Sequence, residues 1–299
     1  MKKYRGLIAA AFTPMHDDGS IAPELIGPMV EYAVSRRLDG LFAVGSTGEF
    51  PSLTTAERRV VAAEYIRAAA GRIPVIINVG SCSVREAEEL TAHAVECGAD
   101  AICAMAPFYF RPGSPRVLAE CLKPLVPVCA GKPLYLYHCP SLTGVRLSMV
   151  EFLRIAAEEL PNFAGIKFTH VDLFEYKSCI DFSDRFQILY GFDEMLLGAL
   201  AMGAEAGVGS TYNYLPRVYR GILEAFAAGE MERARELQAV SHRAVRLLVE
   251  FGMAAQKEFM RLAGVELGRP RLPGLPFTPE RRGEFLRAVE AAGLLPWLG

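Results

Sequence analysis

Short continuous apolar runs rich in Val, Ile, Leu and Ala recur along the first two thirds of the chain, each closing on Gly, Pro, Ser or Thr. Eight of them read as strands, at 6–13, 41–45, 74–80, 101–107, 134–139, 164–169, 186–191 and 206–211. Unbroken apolar runs, as opposed to strict alternation, mark strands covered on both faces, as in a parallel sheet. Between them lie helical periodicities with start signals: Thr54-Thr55-Ala56-Glu57 reads as a capping box, and Ser83-Val84-Arg85-Glu86 opens another helix. Strand-to-strand spacings of about 20 to 34 residues leave room for a loop and a helix each. The sequence therefore predicts an α/β fold, a (β/α)8 TIM barrel.

After Thr211 no strand signal follows. Residues 215–265 read as helices with a break at Gly229, then a link at 268–273 leads to a last helix at 279–292. The expected organisation is a catalytic barrel over 1–225 and a C-terminal helical extension over 226–299, packed on the barrel and supporting oligomer contacts. At 299 residues the chain is long enough for two domains, but barrels of about 250 residues form single units.

Composition narrows the function. At 52% hydrophobic the chain can bury a large core, and a net charge of −2 argues against a partner of phosphate backbone, so no nucleic acid is expected. No stretch approaches the roughly 18 apolar residues of a membrane span. Lys2-Lys3-Tyr4-Arg5 and the apolar run after it imitate a secretory signal, but Thr13-Pro14 replaces a cleavage site, so the run reads as the first strand. Seven scattered cysteines without Cys-x-x-Cys read as free thiols of a cytoplasmic protein. Five dispersed histidines, none expected at a neighbouring strand end in a ligand-like pair, predict no metal site.

In a barrel, chemistry belongs at the C-terminal strand ends. Of seven lysines, only Lys167 stands inside an apolar strand, Ala164-Gly165-Ile166-Lys167-Phe168-Thr169. Alternation turns Ile166 and Phe168 outward and aims Lys167 and Thr169 into the barrel mouth. Desolvation there lowers an amine's pKa and frees it for imine formation with a ketone; a buried ion pair is the competing reading. One strand earlier, Tyr137 takes the inward face, where its phenol can shuttle protons beside Lys167; a core tyrosine bonded to a carbonyl is the alternative. Two small-residue loops, Gly45-Ser46-Thr47-Gly48-Glu49 and Gly207-Val208-Gly209-Ser210-Thr211, suit a carboxylate or a phosphate, or else tight turns. Tyr212 breaks any Gly-x-Gly-x-x-Gly reading of the second. The paired acids of Gly191-Phe192-Asp193-Glu194 suit sugar hydroxyls, a metal or a helix cap.

Together these segments resemble the N-acetylneuraminate lyase and dihydrodipicolinate synthase superfamily, class I aldolases that form an imine with pyruvate. Gly45 to Glu49 is similar to its pyruvate-carboxylate loop, Tyr137 with Pro140 and Gly144 to its tyrosine segment, and Gly165-Ile166-Lys167 to its imine lysine. Pro140-Ser141-Leu142-Thr143-Gly144 lacks the arginine usual in the synthases and resembles the lyases. The resemblance implies retro-aldol cleavage of N-acetylneuraminate to N-acetylmannosamine and pyruvate, with no cofactor and a homotetrameric assembly whose neighbouring subunits complete or border the sites. It implies that Ser46 and Thr47 grip the pyruvoyl carboxylate, that Thr169, Gly191, Asp193, Glu194 and Ser210 line the sugar pocket, and that Tyr109 joins Tyr137 in a relay. Cys139 and Phe42 depart from the usual residues, in pocket packing only. Another 2-keto-3-deoxy sugar acid aldolase, a dihydrodipicolinate synthase, a non-catalytic sugar-acid or pyruvate sensor and a metal-dependent aldolase are the alternatives.

Overall fold

The computed structural model describes residues 3–299; Lys2 lies outside them. Gly6–Ala10 (β1), Gly40–Ala43 (β2), Val75–Asn78 (β3), Ala101–Met105 (β4), Leu134–His138 (β5), Phe163–Phe168 (β6), Gln187–Tyr190 (β7) and Ala206–Gly209 (β8) pair in parallel in that order, and β8 closes onto β1. Apart from Gly6, every strand residue is buried, which is why the runs read as continuous and not alternating. The expected runs extend past the observed C-terminal strand ends by one residue at β5, β6 and β7, by two at β2, β3, β4 and β8, and by three at β1. In those tails the small residues leave the ladder and turn over the top of the barrel, and the candidate site is built there.

Eight main helices alternate with the strands: Ile26–Ser35 (α1), Thr55–Ala69 (α2), Val84–Glu96 (α3), Pro115–Leu122 (α4), Met149–Glu159 (α5), Leu173–Phe182 (α6), Leu196–Ala201 (α7) and Pro216–Ala227 (α8). The capping box at α2 forms between Thr54 and Glu57, and Ser83, Ser114, Ser148 and Asp172 cap α3 to α6 with their side chains.

Beyond Gly229 come Met231–Phe251 (α9), Met253–Leu262 (α10) and Pro279–Ala291 (α11). A break absent from the sequence reading separates α9 from α10: Gly252, at φ +76°, occupies a left-handed conformation that side chains rarely adopt, and re-aims the chain. Tyr214 stacks on Phe259 of α10 at 4.8 Å, and Phe259 meets Phe285 of α11 edge-on at 4.9 Å. Barrel and tail share one hydrophobic cluster through these rings. Among the described residues, no helix is long and apolar enough to cross a membrane. All seven cysteines are free thiols.

Candidate active site

A cavity of about 660 Å³ opens at the C-terminal ends of the strands. Its floor holds Lys167, which β6 places in register with Tyr137 of β5. Neighbouring parallel strands with matched phase present these two side chains to the same interior. The Lys167 ammonium nitrogen lies 3.7 Å from the centre of the Tyr137 ring and 4.0 Å from that of Phe42, whose own ring meets Tyr137 edge-on. Aromatic faces attract a cation yet offer no proton acceptor, so they suit both states of the amine. Among the described residues no carboxylate lies within salt-bridge distance of Lys167, and the ion-pair reading of that residue fails. Burial pulls its pKa down to about 8, against weaker opposite pulls from Cys103, Cys139 and Asp193.

Tyr137 is a polar member of the site and not merely a core tyrosine: its hydroxyl lies 3.3 Å from that of Ser46. Burial raises its phenol well above the ordinary value, so it stands protonated at neutral pH. Ser46 and Thr47 line the cavity from the loop after β2. That loop is bracketed by two left-handed residues, Val44 at φ +58° and Glu49 at φ +56°. Such conformations persist only where surroundings impose them. Asn78 donates to the Val44 carbonyl at 2.8 Å, Thr13 donates to the Gly48 carbonyl at 2.7 Å, and the Glu49 amide closes on the Ser46 carbonyl at 3.0 Å.

Gly191, Asp193, Glu194 and Ser210 also line the cavity. Gly191 must lack a side chain because a Cβ there meets the Thr169 hydroxyl oxygen at 1.9 Å. That hydroxyl is buried and without a hydrogen-bond partner among the described residues. Asp193 is buried, and burial raises its pKa to about 7 in spite of bonds from the Thr211 amide (2.8 Å) and hydroxyl (2.6 Å). One Asp193 oxygen is therefore engaged within the fold. The same contacts correct the anion reading of the loop after β8. A Cβ at Gly209 meets Asp193 Oδ1 at 2.1 Å, so its small residues make room for a carboxylate of the chain itself. His242 donates to the Glu194 carbonyl at 2.8 Å, which holds the backbone of this lining residue in place.

Tyr109 stands apart from this assembly. It is 78% exposed, its ring packs edge-on against Phe110, which is 85% exposed, and neither lines the cavity of its own chain.

The expectation that no two histidines stand at neighbouring strand ends is overturned. His138 ends β5 and His170 follows β6, with ring centres 5.8 Å apart, because parallel pairing joins positions that chain spacing keeps distant. One nitrogen of His170 and one carboxylate oxygen each of Asp172 and Glu175 lie within 4.8 Å of one another. Both carboxylates already have structural partners: Asp172 caps α6 and Glu175 accepts from the Met149 amide. Arg146 adds positive charge to the same separate hollow.

Several cavity residues were not legible as such. Met253, Gln256 and Lys257 come from α10, Val245 and Leu248 from α9, and Pro273 from the link, so the helical tail walls the site and is more than an appendage. Lys257, read as an ordinary helix lysine, is 4% exposed and pairs at 2.9 Å with Glu49, 3% exposed. One signal pointed to it: Lys257 falls on the same helical stripe as Met253, Ala254 and Met260, an apolar face where a lysine needs a partner.

A buried amine without an ion-pair partner, a phenol beside it, hydroxyls in a held loop and the carboxylate-bearing residues Asp193 and Glu194 line one chamber. Relatives share the fold. N-acetylneuraminate lyase of Pongo abelii is 40% identical over 279 residues, covering 91% of this chain and 87% of that protein. The structure of the Aliivibrio salmonicida N-acetylneuraminate lyase superposes with a TM-score of 0.94 at 35% identity, covering 98% of each chain. That of the Proteus mirabilis enzyme gives 0.94 at 32%, covering 97% of this chain and 99% of its own. Residues 3–292 match the dihydrodipicolinate synthetase family, and with that match the chain belongs to this family of barrel enzymes.

Proposed function

We propose that the protein is a class I aldolase that cleaves N-acetylneuraminate reversibly to N-acetylmannosamine and pyruvate. The observation that carries this reading is the pairing of Lys167, a buried amine without a carboxylate partner, with Tyr137 in register beside it. Lyase relatives at about two fifths identity supply the substrate.

Lys167 attacks the C2 ketone of the open-chain acid, and loss of water leaves an iminium. The C3–C4 bond then breaks, and its electron pair enters the C2–C3 bond to give an enamine. Tyr137 gives its phenol proton to the hydroxyl that departs as water when the iminium forms, and the phenolate so made, aided by the substrate carboxylate, takes the C4 hydroxyl proton as C4 becomes an aldehyde carbon. The positive iminium beside the ring lowers the cost of a transient phenolate. Protonation at C3 and hydrolysis release pyruvate and restore the amine. Because the iminium is itself the electron sink, the scheme needs no metal or organic cofactor.

Ser46 and Thr47 hold the pyruvoyl carboxylate in this reading, while Thr169, Gly191, Asp193, Glu194 and Ser210 receive the polyhydroxyl tail. Tyr109, exposed on its own chain, reaches the relay across a subunit boundary of a cytoplasmic homotetramer. Residues 1–225 act as the catalytic barrel and 226–299 as the extension that completes its wall.

The test is a comparison of kcat/KM for N-acetylneuraminate and 2-keto-3-deoxygluconate, followed through pyruvate release. The reading expects the first to be preferred by at least an order of magnitude. Preference for the second assigns the same chemistry to a different sugar acid, and no release from either returns the chain to a binding role.

A further inference from the structure

We propose that Lys257 is a positioning residue that locks the carboxylate-gripping loop from the C-terminal side. The inference rests on the reading of Ser46 and Thr47 as the pyruvoyl carboxylate grip.

The loop at 44–49 is an unfavourable piece of backbone with left-handed residues at both ends, one of them β-branched. Thr13 fixes its middle at the Gly48 carbonyl, and the Glu49 amide closes on Ser46 within the loop. Its far end is fixed by the tail. Glu49 turns its carboxylate away from solvent to meet Lys257 Nζ at 2.9 Å through one oxygen and the Arg271 amide at 2.8 Å through the other. Lys257 donates a second hydrogen to the Arg269 carbonyl at 2.7 Å, so one ammonium ties the loop and the link together. The link is anchored in turn, because the Arg271 guanidinium bonds the carboxylate of Glu57 and the carbonyls of Gly19 and Ser52. Glu57 is the same residue that completes the capping box of α2, directly after the loop.

Both ions of the pair are almost wholly buried, and removing one partner leaves the other charge unmet. A pair of this kind adds little to stability over an apolar replacement, yet it fixes one geometry in a place where a few tenths of an ångström matter to a bound carboxylate. Lys257 touches the loop and not the reacting atoms in this scheme. It should therefore govern how well the pyruvoyl group is held, and leave the steps at Lys167 largely intact.

Three variants test it, Lys257→Met, Lys257→Arg and the double variant Glu49→Gln/Lys257→Met, the last of which folds without an unpaired buried charge. Pyruvate KM and kcat are measured in the condensation direction, with hydrogen exchange of the amides in residues 44–52. For Lys257→Met and the double variant, pyruvate KM is expected to rise about tenfold or more while kcat stays within about threefold, the pattern of weakened ground-state binding. Loop amides exchange faster in both, and Lys257→Arg recovers part of the loss. A folded variant with unchanged pyruvate KM and unchanged loop exchange overturns the proposal, as does a fall in kcat alone. If the parent protein itself captures no pyruvate on Lys167, the functional reading falls, and the exchange measurement alone decides the lock.

Discussion

Burying an ammonium without a counter-ion works against folding, and Lys167 shows how much. A fall from 10.5 to about 8 corresponds to a penalty of about 3 kcal/mol, present in full below pH 8 where both states carry the proton. Between about pH 8 and 10.5 the unfolded chain holds a proton that the folded chain has released, so stability rises with pH across that window. Lys167→Met is expected to raise unfolding free energy at pH 7 by up to about 3 kcal/mol while turnover falls by several orders of magnitude, read from denaturant titration and pyruvate release. Undiminished turnover contradicts the role assigned to the amine. For the unmodified enzyme, kcat/KM should climb with pH along an acid limb centred near 8, as the amine loses its proton. A flat profile from pH 6 to 9 counts against it. Tyr137→Phe removes the hydroxyl bonded to Ser46 but keeps the ring under the amine. Turnover should drop about 10²- to 10⁴-fold, with Lys167 still trapped by pyruvate and borohydride, which separates proton transfer from imine formation.

At the scale of elements, strands and caps are local matters and were legible. The apolar run 164–169 already held Lys167 on its inward phase, and β6 spans Phe163–Phe168 with that residue paired to Tyr137. The Thr54 box is equally local. Thr54→Ala should cost about 1 kcal/mol of stability, measured by denaturation, since the Glu57 amide at the start of α2 bonds to the Thr54 hydroxyl. What chain spacing hid were pairings made by the fold. His138 and His170 meet because β5 and β6 are neighbours, and Glu49 meets Lys257 because the tail crosses the barrel mouth. The direction of that crossing depends on Gly252, whose left-handed turn separates α9 from α10 and was not legible as a break in a long periodic segment. The Gly207–Thr211 loop looked like an anion cradle because its residues are small, and only the fold reveals that Asp193 fills the room.

For the whole molecule, the near-neutral net charge of −2 acquires a reason. In the proposed reaction an anionic substrate does not need a basic surface, because hydroxyls, a held loop and one amine would meet it inside a cavity of about 660 Å³. In the proposed scheme the chain supplies the electron sink, so exhaustive EDTA treatment should leave turnover unchanged, and a loss restored by a divalent ion would point to a metal-dependent aldolase. The exposed pair Tyr109 and Phe110 lies outside the site of its own chain, and the proposed tetramer gives it a place. Sedimentation should therefore show a species of four chains, and a Tyr109→Ala variant should lose turnover although that residue touches nothing in its own cavity. The most direct measurement is reduction with borohydride in the presence of pyruvate, followed by peptide mass mapping. Two lysines line the cavity, one unpaired and one locked to Glu49. A single reduced pyruvate adduct on Lys167 is expected; no adduct, or an adduct on Lys257 in its place, contradicts imine formation at Lys167.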